Sequence, residues 1–184
     1  MTSHHTQADW GDDVRVLTRA VDQAGDVLDQ VHRDLLGHPT PCEGWDVAAL
    51  ADHLVATPAN FLAMARGEQP EWSATPPHIE EEWGPAFRVV GDDLIHWWHE
   101  NAGEAESSAD MATAELAVHS WDLATAIGFP VDRLDPEVAE RALAFLQSGL
   151  TSENRGPVFG PEQPAPDGAG PYERLAAFAG RTTG

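Results

Sequence analysis

The chain has one cysteine, few basic residues and no leader pattern, and each shortage excludes a class of protein. Cys42 has no second cysteine to pair with, so the 184 residues cannot form an internal disulfide or a cysteine-rich zinc finger. The start lacks a basic flank followed by an apolar stretch, and no run of about 18 apolar residues stands out as a membrane span. We therefore expect a reducing, cytoplasmic location and no membrane partner.

Basic residues are outnumbered by acidic ones. Lys and Arg total 10 and Asp and Glu total 31, which gives a formal charge of −21. This excess argues against a nucleic-acid partner, because phosphates need a basic footprint. The length predicts a single domain over 1–184 with a polar start, 1–9, that we expect to be disordered.

Apolar residues recur at alternating spacings of three and four, the pattern of amphipathic helices. The long stretches cover about residues 10–35, 47–66, 83–97 and 109–127, and shorter helices are predicted from about 136 and over 172–179. Asp46 is placed to cap the second helix. Between them, residues 151–171 are rich in Pro and Gly and predict an extended tail. No alternating strand pattern is present, so the sequence predicts an all-α four-helix bundle with this tail and a short terminal helix.

Three polar side chains interrupt the apolar faces of these predicted helices. His53 lies on the inner face of the second helix, and Glu115 and His119 lie four residues apart on the fourth. Two imidazoles and a carboxylate suit a divalent ion, and three ligands leave one position open for water or substrate. The alternative is a core histidine bonded to backbone, with Glu115 and His119 an ordinary pair on a partly solvated face. The residues alone leave both interpretations open.

Two separated motifs carry a resemblance to a known family. The run TPCEGWDVAALADHL (40–54) resembles the T-P-C-x-G-W and L-x-x-H-L signature of the metal-binding N-terminal domain of mycothiol-dependent maleylpyruvate isomerases, within the DinB-like four-helix superfamily. The run ELAVHSWDLA (115–124) is similar to that family's second motif, E-x-x-x-H-x-W-D. The tail resembles a subgroup of stand-alone metal-binding proteins. By position, the resemblance implies that His53, Glu115 and His119 are the metal ligands.

The resemblance also implies a chemistry. Family members are associated with mycothiol or a similar low-molecular-weight thiol, which a divalent ion would hold as a thiolate nucleophile. We expect thiol transfer to, or isomerisation of, a small electrophilic substrate. The same site could instead activate a bound water for hydrolysis. The alternative function is a non-catalytic module that binds or senses a metal or a small molecule. The isomerase has an additional C-terminal domain that contributes to catalysis, so we expect a reaction other than maleylpyruvate isomerisation. Zn is the first candidate metal, and Ni, Fe, Mn and Co also accept nitrogen and oxygen ligands.

Several residues near the predicted ligands are candidates for supporting roles, and the sequence assigns no catalytic residue. Asp122, three residues after His119, is a candidate to orient that imidazole, whereas adjacency directs Asp52 away from His53. Cys42 is predicted to be a packing residue, because acidic neighbours disfavour a reactive thiol. The tryptophans Trp72 and Trp98 lack a core position and suggest a homodimer surface.

Overall fold

The computed structural model describes residues 7–80, 82–156 and 159–184. Within these ranges six α-helices follow one another: α1 (Gln7–Leu28), α2 (Val47–Ala65), α3 (Trp83–Asn101), α4 (Ala109–Ile127), α5 (Pro136–Gly149) and α6 (Pro171–Phe178). The described residues form no strand, and their one isolated bridge joins Pro39 to Asp46. The predicted all-α bundle is confirmed.

Helix α4 lies at the centre of the bundle. It packs against α1, α2 and α5, while α3 packs against α1 and α2 on the other side and α6 covers α5. Almost every side chain of α4 from Ala112 to Ala124 is buried, with Leu116 and Leu123 fully enclosed. A polar side chain on this helix therefore enters the protein interior, where it needs a partner.

Helix α1 is shorter than the apolar pattern predicts at its C-terminal end. The amides of Gln30 and Val31 donate to the carbonyls of Val27 and Leu28, at 3.0 and 3.1 Å, so the last turn tightens and the helix ends. Val31 still reaches the core, being 6% exposed. The prediction of a helix to residue 35 is wrong because a turn and a 3₁₀ helix also repeat every three residues. At the other end, α1 begins at Gln7, residues 1–6 lie outside the described residues, and the disorder expected for 1–9 stays a prediction.

Two further expectations differ from the structure. Trp98 is 4% exposed, because the buried stripe of α3 passes from Phe87 and Leu94 to Trp98; only Trp72, at 47%, is exposed as expected. The expectation that Trp98 lies on an exposed surface is therefore wrong, and the homodimer stays a prediction. Of the described helices, α2 alone is long and apolar enough to cross a membrane, a property that core helices of soluble proteins share. The expectation that no such run exists is wrong by that measure.

The chain beyond α5 folds back over the bundle. The Gln163 amide donates to the Ala177 carbonyl at 2.9 Å. Gly180 has a φ of +92°, and a Cβ there would lie 2.6 Å from the Gly160 carbonyl oxygen. Only glycine allows both this left-handed conformation and so close an approach of two backbone segments. The contact fixes the path of the chain into Arg181.

Candidate metal site

Helices α2 and α4 carry the predicted ligands, and a side-chain cap fixes the start of each helix. Asp46 accepts a hydrogen bond from the Ala49 amide at 2.9 Å, which confirms the predicted cap of α2. Ser108 accepts one from the Asp110 amide at 3.1 Å at the start of α4. Such caps satisfy amides that have no partner within the helix, so both helices begin at defined residues.

The three predicted ligands meet between these helices. Glu115 Oε1 lies 3.0 Å from His53 Nε2 and 3.2 Å from His119 Nε2. One candidate ligand atom from each residue lies within 4.8 Å of the other two. The His119 side chain is 4% exposed, and those of His53 and Glu115 are about 20% exposed. The site is thus enclosed on the α4 side and open to solvent on the other.

The donor set and its spacing fit a divalent ion. Two ligands at about 2.1 Å from a tetrahedral ion lie roughly 3.4 Å apart. The two distances from Glu115 Oε1 are within a few tenths of an ångström of that separation. The His53 imidazole is bound to Glu115 rather than to backbone, and Glu115 also forms an i,i+4 pair with the buried His119.

Two buried residues, Asp122 and Arg181, support the side of the His119 ring that faces away from Glu115. Its Nδ1 lies 3.1 Å from Asp122 Oδ2. Asp122 is fully buried and receives two hydrogen bonds from Arg181, from Nε at 3.1 Å and from Nη2 at 2.9 Å. Because Asp122 occupies Nδ1, it leaves Nε2 facing Glu115 and His53. Asp122 therefore contacts His119 in the position predicted for an orienting residue.

The charges of this cluster shift its pKa values. Burial alone would lower the pKa of His119, but the carboxylates of Glu115 and Asp122 raise it to about 9. Burial alone would raise the pKa of Glu115, but the two imidazoles hold it far below its usual range. The pKa of Asp122 is likewise lowered, against burial, by His119 and Arg181. Without a metal, the cluster is a proton-bearing ion pair in the interior.

Trp45 packs directly on the two histidines. Its ring centroid lies 4.6 Å from that of His53 and 5.8 Å from that of His119, nearly parallel to the latter. Trp45 precedes the N-cap of α2 and so brings the loop before this helix against the candidate ligands. It covers one side of the site and limits the access of water from that side.

The three predicted ligands line a cavity of about 1000 Å³. This volume lies at the upper end of the range for small-molecule sites. Cys42 lies in the same wall, and burial, followed by the charge of Asp122, raises the pKa of its thiol to about 11. A thiol with that pKa is protonated at neutral pH, in agreement with the expectation that Cys42 is unreactive.

Asp52, next to His53, has a different task. Its carboxylate accepts hydrogen bonds from His78 Nδ1 at 2.8 Å, the Ile79 amide at 3.0 Å and Trp83 Nε1 at 3.3 Å. These groups belong to the loop between α2 and α3 and to the start of α3. Asp52 therefore fixes this loop, as expected from a side chain directed away from His53.

Sequence reasoning missed Arg181 and the contact of Trp45 with the histidines. A buried Asp122 on an apolar helix face requires a cation, so the need for an arginine is readable from the sequence. The choice among ten arginines is not, because Arg181 follows the last helix, α6, where no periodic pattern positions a side chain. Trp45 lies in the loop before α2, so helical spacing does not relate it to His53 and its contact with the histidines has no periodic signal in the sequence.

The chain is similar to a known family and to known proteins. Residues 14–125 match the family described as the mycothiol maleylpyruvate isomerase N-terminal domain. Two uncharacterised proteins of Mycobacterium tuberculosis, from strains CDC 1551 / Oshkosh and ATCC 25618 / H37Rv, are each 30% identical over 181 residues, which covers 89% of this chain and 94% of the relative. No solved structure matches the chain. All four predicted site residues lie within the family match.

Proposed function

The chain belongs to the family of the mycothiol maleylpyruvate isomerase N-terminal domain, and from this premise we propose that it is a divalent-metal-dependent enzyme. Its co-substrate would be mycothiol or a similar low-molecular-weight thiol, and its reaction would be thiol transfer to, or isomerisation of, a small electrophile. Such thiols belong to reducing compartments, which agrees with a cytoplasmic location. The proposed ligands are His53, Glu115 and His119, with Zn as the first candidate ion.

The observation that carries the proposal is the convergence of three donor atoms in the wall of an open cavity. Two imidazole nitrogens and one carboxylate oxygen lie within 4.8 Å of one another. Structural zinc sites usually have four protein ligands, whereas catalytic sites have three and keep one position for water or substrate. The number of protein ligands and the open cavity beside them therefore both favour a catalytic metal site.

The chemistry divides between the ion and the chain. A divalent ion held by His53, Glu115 and His119 would supply a positive charge that lowers the pKa of a thiol at the site, so that its S–H proton would pass to solvent at neutral pH. In transfer, the sulfur electron pair forms a bond to the electrophilic carbon, and a leaving group departs with its own pair. Asp122 holds the His119 ring in place, and Trp45 shields the site.

Metal analysis of protein purified without a polyhistidine tag tests the site. We expect one divalent ion per chain, and its loss in His53→Ala and His119→Ala. His96→Ala is the matched control, because His96 is 74% exposed and pairs with Glu100 on the surface. Folded ligand variants that keep the ion, or wild-type protein that binds none when Zn is added, would contradict the proposal.

A second candidate function is a non-catalytic module that binds or senses a small molecule. It is favoured by the state of Cys42, since this thiol in the cavity wall is protonated at neutral pH and offers no nucleophile of the chain's own. A thiol-consumption assay with a panel of electrophiles separates the two. Metal-dependent turnover supports the enzyme, and stoichiometric binding without turnover supports the module.

A further inference from the structure

The cavity beside the proposed metal ligands is mostly apolar. Aromatic and thioether side chains from α2, α4, α5 and the loop after α2 line it: Phe61, Met64, Trp72, Met111 and Phe145. Trp72 packs edge-on against Phe61 with ring centroids 5.3 Å apart, although the indole is 47% exposed. Such walls fit a ligand with an apolar body of aromatic size.

Arg155 lies in the same wall and is held in place by groups without charge. Its Nη1 donates to the carbonyls of Gly160 at 3.1 Å and Phe178 at 2.5 Å. Its guanidinium carbon lies 4.7 Å from the centroid of the Phe178 ring. Within the described ranges, neither Nε nor Nη2 of Arg155 forms a hydrogen bond, and no carboxylate pairs with the guanidinium. One pair of parallel donors is thus positioned and unused.

The charges around the cavity make this arginine exceptional. Of the 31 acidic residues of the chain, Glu43 and Glu115 line the cavity, and of the ten arginines, Arg155 and Arg181 do. Arg181 is neutralised by Asp122, and Glu115 faces the two imidazoles. Glu43 forms no ion pair with Arg155 in the described residues, so in a chain with a formal charge of −21 this cavity wall carries one guanidinium that no carboxylate there contacts.

We propose that Arg155 binds the carboxylate of the small molecule that occupies this cavity, with the apolar body of that molecule against Phe61, Trp72 and Phe145. Nε and Nη2 of a guanidinium match the spacing of two carboxylate oxygens, which makes a bidentate pair. The assignment of this ligand as the substrate rests on the proposed metal-dependent function. The carboxylate site itself does not need the metal.

Binding of a matched pair of ligands to the full chain tests the proposal. 4-Phenylbutyrate and its neutral amide, 4-phenylbutanamide, have the same body and differ in the charged group. By isothermal titration of metal-free protein, we expect the acid to bind at least about tenfold tighter than the amide, the size of a charge-assisted bidentate contact. Arg155→Met removes this preference by weakening the acid, while the affinity for the amide stays within about twofold.

Two more variants keep the test decisive. Arg155→Gln retains a donor for the carbonyls of Gly160 and Phe178 but has no charge, so loss of preference in this folded variant assigns the effect to the charge. Arg174→Met is the matched control, because Arg174 is exposed on α6 outside the cavity. It keeps the full preference for the acid.

The outcomes separate this inference from the proposed function. Equal affinity of wild-type protein for acid and amide, no binding of either, or an unchanged preference in Arg155→Gln would overturn the carboxylate site. A preference that exists only in Zn-loaded protein and disappears in His119→Ala would also overturn it, because the acid would then bind the ion. A protein that holds no metal yet shows the preference would refute the metal-dependent function and retain the role of Arg155.

Discussion

Replacing Arg181 with methionine tests whether the buried ion pair behind His119 organises the site. Asp122 is 0% exposed and Arg181 is 5% exposed, and two hydrogen bonds of 3.1 and 2.9 Å join them. Removing one partner of a buried pair costs about 3–5 kcal/mol, because the other charge stays buried without compensation. Asp122 keeps its contact with His119, so we expect a loss of about 3 kcal/mol, at the lower end of that range.

Urea unfolding of the metal-free protein measures this loss. Arg141→Met is the matched control: Arg141 pairs with Asp110 and Asp12, but its side chain is 31% exposed, so we expect less than about 1 kcal/mol. Combining Arg181→Met with Asp122→Asn leaves no uncompensated charge and recovers a large part of the stability. The recovery distinguishes loss of the ion pair from loss of packing.

Arg181→Met is also expected to weaken metal binding. Without Arg181, Asp122 no longer has a fixed position from which to hold the His119 ring. Changes to such supporting groups typically weaken metal affinity by about 10- to 100-fold, which competition with a chromogenic chelator measures. If Arg181→Met is no more destabilising than Arg141→Met and binds Zn as tightly as wild type, the reasoning from the buried pair is refuted.

Three other predictions follow from the same geometry. Alkylation of Cys42 at pH 8 is expected to be roughly 100-fold slower in folded than in unfolded protein, because its pKa is raised from 9.0 to about 11; equal rates would contradict this. In metal-free protein, folding raises the pKa of His119 from 6.5 to about 9, so protonation of His119 stabilises the folded state fully below pH 6.5. The free energy of unfolding is therefore expected to fall by about 2 kcal/mol between pH 6.5 and 8.5. His119→Asn should remove this pH dependence. Gly180→Ala is expected to lower the urea midpoint, because the new methyl group would overlap the Gly160 backbone; an unchanged midpoint would argue against that close approach.

The helices could be predicted because the apolar residues that become buried recur at helical spacing in the sequence. The bounds of α4, from Ala109 to Ile127, match the prediction, since Ser108 caps its start and Gly128 ends it in a left-handed conformation. One prediction fails beyond Leu28, where a turn and a 3₁₀ helix continue the apolar spacing of the α-helix. Another fails at Trp98, where the buried stripe of α3 includes a residue that was expected on the surface. Local pattern alone does not decide such cases, because tertiary packing does.

The candidate site was predictable in its ligands and only partly in its supports. His53, Glu115 and His119 stand out because each is polar on an apolar face, and Asp122 follows from helical spacing. Arg155 lies in the Pro- and Gly-rich stretch 151–171 and Arg181 follows α6, and the path of both segments depends on backbone contacts such as that of Gly160 with Gly180. Contacts of this kind have no repeating pattern from which to infer them.

The distance in sequence between Asp122 and its guanidinium partner has a consequence for biosynthesis. The two residues are 59 positions apart, so at about 5–20 residues per second the ribosome adds Arg181 roughly 3–12 s after Asp122. During that interval every proposed ligand has been translated while the carboxylate behind His119 has no counter-ion. A metal ion that reaches the nascent chain in that interval meets His119 before Arg181 holds Asp122 in place. The arrangement in which Arg181, Asp122 and His119 support the proposed ligands exists only in the finished protein.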